Sequence, residues 1–206
     1  MLRVLGRATS VNVQKVMWLA DELGLDVERV DVGGKYGGDK TPEYFAKNPN
    51  GLIPTLEDGD YVLWESQAIV RYLVEAYGGA PWLPDDVKVR GHAYQWMDWY
   101  IANLHPPMTV IYYQNIRATP ETKDDALLAA NIKKAAEIWS RLDAHLADRQ
   151  FVTGETLNIG DIPVGCSAYR WHTLVPDGAD LPNLRAYWDR LNVRPAYQKN
   201  VMLPFE

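Results

Sequence analysis

The chain opens on a short apolar run, Leu2–Leu5, that stops at Gly6, the pattern of a buried strand. Across residues 12–23 the apolar positions Val13, Val16, Met17, Leu19, Ala20 and Leu23 recur at helical spacing, and Gly24 ends the helix. Residues 27–32 read as a second strand. Its alternation is poor, so the β-branched content carries that reading. Gly33, Gly34, Gly37 and Gly38 make a loop, after which Thr41-Pro42-Glu43 gives an N-cap followed by proline at the first helical position. That short helix ends at the turn Asn48-Pro49-Asn50-Gly51. Residues 55–57 and Tyr61–Trp64 flank Asp58-Gly59-Asp60 as a β-hairpin. Ser66 is placed to cap a helix that runs to Tyr77 and stops at Gly78-Gly79.

The order is therefore βαβ-α-ββ-α. A strand–helix–strand start requires parallel pairing through a right-handed crossover, and the hairpin adds antiparallel strands, which predicts a mixed sheet. Beyond residues 78–84 (GGAPWLP), which read as a linker, no convincing strand appears. Residues 88–116, 124–148, 158–172 and 182–192 read as helices, the second with an apolar stripe of Leu127, Leu128, Ile132, Ala135, Ala136, Trp139, Leu142 and Leu146. The expected organisation is an α/β domain over 1–80, a linker over 81–86 and an all-α helical bundle over 87–206.

Composition narrows the function. The chain has 206 residues, 47% of them hydrophobic, so it can bury a core without covalent staples. A net charge of -6 with no basic run argues against nucleic acid as a partner. The lone Cys166 excludes a disulfide framework, a CxxC pair and a Cys-rich zinc site, and suits a reducing compartment such as the cytoplasm. The four histidines show no metal-ligand spacing, so no metal is expected. The opening residues MLRVLGRATS are too polar for a signal peptide, and no apolar run reaches the roughly 18 residues of a membrane span.

Five segments together resemble the cytosolic glutathione S-transferase family over nearly the whole chain. They are Gly6-Arg7-Ala8-Thr9-Ser10, Ser10-x-Asn12-x-x-Lys15, Asn48-Pro49-Asn50-Gly51-Leu52-Ile53-Pro54-Thr55-Leu56, Trp64-Glu65-Ser66-Gln67-Ala68-Ile69 and Leu157-Asn158-Ile159-Gly160-Asp161. The nearest likeness is to bacterial theta-like and nu-like serine-type members. The resemblance implies a thioredoxin-like N-terminal domain with a mixed four-stranded sheet, a helical C-terminal domain, glutathione as co-substrate and a homodimer. It implies that Pro54 is cis and turns the main chain of Ile53 toward the cysteinyl unit of glutathione. It further implies that Ser66 and its helix N-terminus hold the γ-glutamyl carboxylate while Glu65 takes the ammonium.

Glutathione supplies the thiol, and a free thiol with a pKa of about 8.5 is mostly protonated at neutral pH. A donor to sulfur near a helix N-terminus lowers that value. The earliest tyrosine is Tyr36, too late for the tyrosine-type site, and Cys166 lies in the helical half. The resemblance implies Ser10, aligned with the family's serine or threonine before the first helix, and Asn12, aligned with the asparagine of some nu-like members, as the catalytic pair, with Thr9 as an alternative donor; from the residues alone, simple N-capping is the reading of Ser10 or Asn12. Lys15 has two readings, as an anion holder or as the partner of an exposed acid. The aromatic residues of 88–116 are expected in the core or lining an electrophile pocket, with His105-Pro106-Pro107 kinking the helix and Trp171 and His172 closing the far side. Asp98 reads as a solvated charge or as a residue that reaches across a dimer. Asn158-x-x-Asp161 reads as a structural capping box and Cys166 as a buried hydrophobe.

The functional reading is conjugation of the glutathione thiolate to small hydrophobic electrophiles. Alternatives are a nu-like glutathione-dependent disulfide reductase or peroxidase, and a non-catalytic glutathione-binding scaffold. None of the three calls for a nucleic acid or a membrane.

Overall fold

The computed structural model describes residues 1–206. The chain forms two compact units, one of Met1–Leu83 with Pro195–Pro204, the other of Pro84–Arg194 with Phe205–Glu206. The expected division placed all of 87–206 in one helical domain; the segment Pro195–Pro204 instead belongs to the first unit.

The first unit carries a four-stranded sheet in the order β2-β1-β3-β4. The strands are β1 (Leu2–Leu5), β2 (Val27–Val30), β3 (Thr55–Asp58) and β4 (Tyr61–Trp64). β1 pairs parallel with β2 and antiparallel with β3, and β3 pairs antiparallel with β4. This is the predicted mixed sheet of a thioredoxin-like domain. β2 is two residues shorter than its apolar pattern suggested. It is an edge strand with no fully buried residue, which explains its poor alternation. The hairpin between β3 and β4 turns on two residues, and Gly59 supplies the left-handed conformation there (φ 59).

α1 (Val11–Glu22) packs against α3 (Ser66–Tyr77) and against α9 (Pro195–Asn200), a short helix that the sequence pattern did not reveal. This double cover explains why α1 is buried beyond its apolar stripe. Val13, Val16, Leu19 and Ala20 are in the core as expected, but so are Gln14, Lys15 and Trp18. Trp18 meets Tyr197 edge-on at 4.9 Å, and Gln14 Nε2 donates to the Val201 carbonyl at 3.2 Å. Lys199 Nζ and Asn200 Nδ2 donate to the Asp21 carboxylate at 2.7 and 3.2 Å, pinning α9 to the end of α1. Burying a side chain the size of Trp18 or Tyr197 contributes about 2–3 kcal/mol, so α9 is part of the unit's core. α2 (Pro42–Phe45) starts as predicted, with Thr41 Oγ1 accepting from the Tyr44 N–H at 3.2 Å.

The second unit is helical. α4 (Val87–Trp99) continues through a wide π-type turn, Tyr100–Leu104, into α5 (His105–Tyr112) and a second such turn, Tyr113–Arg117. The expected break at Pro106-Pro107 is resolved by the first wide turn. Two prolines offer no N–H to the preceding turn, and the wider spacing there takes up the missing bonds. α6 (Asp125–His145), α7 (Asp161–Leu174) and α8 (Pro182–Asn192) complete the unit. Asp124 caps α6 through the Leu127 N–H at 2.8 Å. Asp143 of α6 accepts from Leu184 N–H at 2.8 Å and so closes the start of α8. Asn158 and Asp161 form the expected capping box, with the Asn158 N–H donating to Asp161 Oδ2 at 3.0 Å. Cys166 is fully buried. Trp171 is also in the core, its ring 6.3 Å from that of Trp139, rather than walling an open cleft. Met97, Tyr100 and Met108 are core residues, Tyr94, Trp96, Trp99 and Tyr112 are half-buried, and Tyr113 and Asp98 are exposed. No helix is long and apolar enough to cross a membrane.

Candidate active site

The site sits at the end of β1, where three chain segments of the first unit converge. Gly6 makes that convergence possible. A Cβ at this position would lie 2.5 Å from Val13 Cγ2 and 3.3 Å from Ile53 Cβ. Only a residue without a side chain lets the start of α1 and the Ile53-Pro54 loop approach the strand end together.

The first segment is the start of α1. Ser10 occupies the N-cap position with extended backbone (φ -74, ψ 124), but its hydroxyl makes no capping hydrogen bond. The capping reading therefore does not account for its side chain, which is nearly buried at 8% exposure. Asn12, in the first turn, does not cap either. Its Oδ1 accepts from Lys15 Nζ at 2.8 Å and, at 3.5 Å, from Ser66 Oγ. Lys15 is fully buried.

The second segment is the loop before β3. The Ile53–Pro54 bond is cis, as expected; Ala80–Pro81 is cis as well. A buried polar cluster holds this loop from behind. Tyr44 Oη donates to the Leu52 carbonyl at 2.7 Å and meets Thr55 Oγ1 at 2.9 Å. Asn48 Nδ2 donates to the same carbonyl at 2.8 Å, and its Oδ1 accepts from the Asn50 N–H at 3.1 Å. Burial, offset by these bonds, raises the Tyr44 phenol above its usual range, so it remains a donor. The N–H and C=O of Ile53 take no backbone partner. They are an edge-like donor and acceptor pair, suited to the main chain of a peptide ligand.

The third segment joins β4 to α3. The sequence pattern made Ser66 the cap, but Ser66 is the first helical residue and Glu65 holds the cap position. The reason is the abrupt exit from the hairpin. Glu65 has φ 72 and ψ 111, and no other non-glycine residue has a positive φ. Such a conformation costs about 1–3 kcal/mol and is held by the surrounding fold. It leaves the Glu65 carboxylate exposed and uncommitted to capping, with the Ser66 hydroxyl and the N-terminus of α3 beside it.

Ser10, Asn12, Ile53, Pro54, Glu65 and Ser66 thus belong to one corner of one unit, and the Ser66–Asn12 contact ties the starts of α1 and α3. Each helix runs 12 residues with no acidic residue in its first turn. Both present the positive end of a helix dipole, an arrangement that favours a carboxylate or a thiolate. Tyr44 and Asn48 are contributors that sequence reasoning missed as parts of the site, whereas Lys15 lay in a quoted motif with anion holding as one of its readings. Asn48 had a signal in its turn motif. Tyr44 had none, because its role depends on the loop before β3 folding back onto it. No group of three or more His, Cys, Asp or Glu could hold a metal ion.

The fold is thioredoxin-like, and this corner combines an unpaired main-chain edge, an acid beside a helix start and a hydroxyl at a second helix start. Comparison with known proteins gives the family. Residues 2–75 match the glutathione S-transferase N-terminal domain and residues 100–195 the glutathione S-transferase C-terminal domain. The chain is 35% identical over 206 residues to glutathione S-transferase GstB of Escherichia coli (strain K12), covering 99% of each protein. It is 30% identical over 219 residues to glutathione S-transferase 3 of Zea mays, covering 97% of this chain and 93% of that one. The crystal structure of the theta class glutathione S-transferase from the citrus canker pathogen Xanthomonas axonopodis pv. citri, with glutathione bound, superposes with a TM-score of 0.96 at 39% identity, covering 100% of this chain and 99% of that one. The chain belongs to the glutathione S-transferase family.

Proposed function

We propose that this protein is a serine-type glutathione transferase, theta-like or nu-like, that conjugates the glutathione thiolate to small hydrophobic electrophiles. The observation that carries this reading is the Ser10 hydroxyl, which sits at a helix start without capping it. A hydroxyl in that position is available to donate to sulfur, and the helix dipole adds to the same effect. In this mechanism Ile53 pairs its main chain with the cysteinyl unit beside cis-Pro54. Ser66 and the start of α3 take the γ-glutamyl carboxylate, and Glu65 takes the ammonium. Ser10, with Asn12 beside it, stabilises the thiolate. The thiolate then attacks the electrophilic carbon, forms the C–S bond and expels the leaving group with its electron pair. The bound glutathione of the Xanthomonas relative supports glutathione as co-substrate here. A cytoplasmic homodimer, with the helical unit supplying the apolar electrophile pocket, completes the proposal.

A second reading, glutathione-dependent reduction of disulfides, is favoured by one observation: Asn12 stands in the site in contact with Ser66. A second donor near sulfur would assist attack on a disulfide as well as on carbon. One experiment separates the two readings from each other and from a binding-only scaffold. With glutathione present, turnover is measured on a chlorinated aromatic and on a small organic disulfide. Conjugation of the aromatic is the expected result. Turnover of the disulfide alone would transfer the assignment to the reductase, and turnover of neither, with saturable glutathione binding, to the scaffold.

A further inference from the structure

The two faces of a carboxamide are chemically opposite, since the oxygen only accepts and the nitrogen only donates. Which face Asn12 turns toward a ligand therefore decides whether it can stabilise a thiolate at all. Lys15 decides it. An ammonium has no acceptor, so the atom 2.8 Å from Lys15 Nζ must be the Asn12 oxygen. Ser66 Oγ, at 3.5 Å, approaches the same oxygen. Asn12 Nδ2 makes no hydrogen bond within the chain; both of the side chain's contacts go to Oδ1. Lys15 is fully buried beneath the first turn of α1, so it cannot swing away and release the amide.

We infer that Lys15 is a positioning residue for this site: by holding the oxygen of Asn12 inward, it makes the Nδ2–H the group that Asn12 offers to the sulfur of glutathione. This inference rests on the reading of Ser10 and Asn12 as the thiol site. It gives the buried lysine a role distinct from that of a charge placed against the ligand. If the amide turned over, its oxygen lone pairs would face the sulfur and oppose ionisation.

The test compares the wild-type protein with Lys15→Met and Lys15→Arg. Two quantities are read: the pKa of bound glutathione, from the ultraviolet absorbance of the thiolate, and the affinity for S-methylglutathione, which keeps the peptide but has no ionisable thiol. Lys15→Met is expected to raise the bound thiol pKa by about one pH unit while changing S-methylglutathione affinity by less than about twofold, and Lys15→Arg is expected to restore the low value. An unchanged thiol pKa in Lys15→Met overturns the inference, and so does a parallel loss of S-methylglutathione binding, which would mean a structural role only. Should Lys15→Met fail to fold, Asn12→Asp serves in its place. It keeps acceptors for Lys15 and Ser66 but has no N–H, so it is expected to raise the thiol pKa in the same way, and an unchanged value overturns the inference. A wild-type protein that binds glutathione without lowering its thiol pKa is a different failure. It removes the thiol-site reading itself, and this inference with it.

Discussion

Asp161 reaches across nine residues to Val152, whose N–H donates to its Oδ1 at 2.9 Å, while its other oxygen, Oδ2, takes the Asn158 N–H at 3.0 Å. One fully buried carboxylate thus satisfies two buried backbone donors and fastens the loop after α6 to the start of α7. Burial pushes its pKa up to about 7, against the opposing pull of those hydrogen bonds.

Replacing Asp161 by alanine strands both N–H groups. Each buried donor without a partner costs about 1–3 kcal/mol, so the expected loss is about 3 kcal/mol or more in urea unfolding. Asp161→Asn can satisfy only one of the two, and its amide N–H faces the other, for an expected loss of about 1–3 kcal/mol. A wild-type unfolding midpoint in both variants would show that the carboxylate does not hold this junction.

His172 provides a pH test with a definite sign. It stacks on Trp188 at 4.5 Å, and its Nε2 is buried without a hydrogen bond. Burial, and secondarily the Arg185 charge, push its pKa down to about 4 from 6.5, with Asp189 opposing. Between these values the unfolded chain holds the extra proton, so this residue's contribution is present above pH 6.5 and is lost as pH falls toward 4. Asp161 has the opposite sign: its folded-state proton stabilises below 3.8 and that contribution is lost as pH rises through about 7. His172→Gln is therefore expected to gain stability relative to wild type as pH drops from 6.5 to 4, measured by urea unfolding at each pH. A constant difference between the two proteins across that window would contradict the burial argument.

Glu65→Gly separates fold from function at the strained position. Glycine accepts the positive φ without steric cost, so unfolding stability is expected to hold or rise by about 1 kcal/mol. Removal of the carboxylate is expected to weaken glutathione binding by about tenfold, read by titration calorimetry. Glu65→Gln should lose affinity with no gain in stability. If Glu65→Gly binds glutathione as well as wild type does, Glu65 is not the ammonium partner.

Ser10 and Ser66 should divide the steady-state constants between them. Ser10→Ala is expected to lower kcat by about tenfold or more with the glutathione KM within about twofold, because its hydroxyl acts on the thiolate. Ser66→Ala is expected to raise that KM with a smaller effect on kcat. Equal losses of kcat and affinity in Ser10→Ala would remove Ser10 from the thiolate role.

Much of this site was legible in the chain because its signals are local. The turn Asn48-Pro49-Asn50-Gly51 placed a loop before Pro54, and the short apolar strand ending at Gly6 placed a helix start beside it. Thr41 capped the helix that the Thr-Pro-Glu signal announced. The errors arose where a remote partner overrode a local preference. Ser66 has the residue type of a cap, yet the exit from β4 forces Glu65 into the cap position. Trp171 had the look of a pocket wall but lies in the core.

Element types and their order follow from the sequence itself, because periodicity, caps and turn residues act within a few positions of one another. The candidate residues came instead from the resemblance of their motifs to a known family, since a serine before a helix reads by itself as a cap. Only the tertiary structure decided what those residues do with their hydrogen bonds. Gln14 and Trp18 are buried because α9, near the far end of the chain, covers the second face of α1. The Ser10 hydroxyl is left unbonded and the Asn12 amide is fixed in one orientation because α1, α3 and the Ile53-Pro54 loop meet where Gly6 makes room. Long-range packing sets such geometry, and no local pattern of residues encodes it.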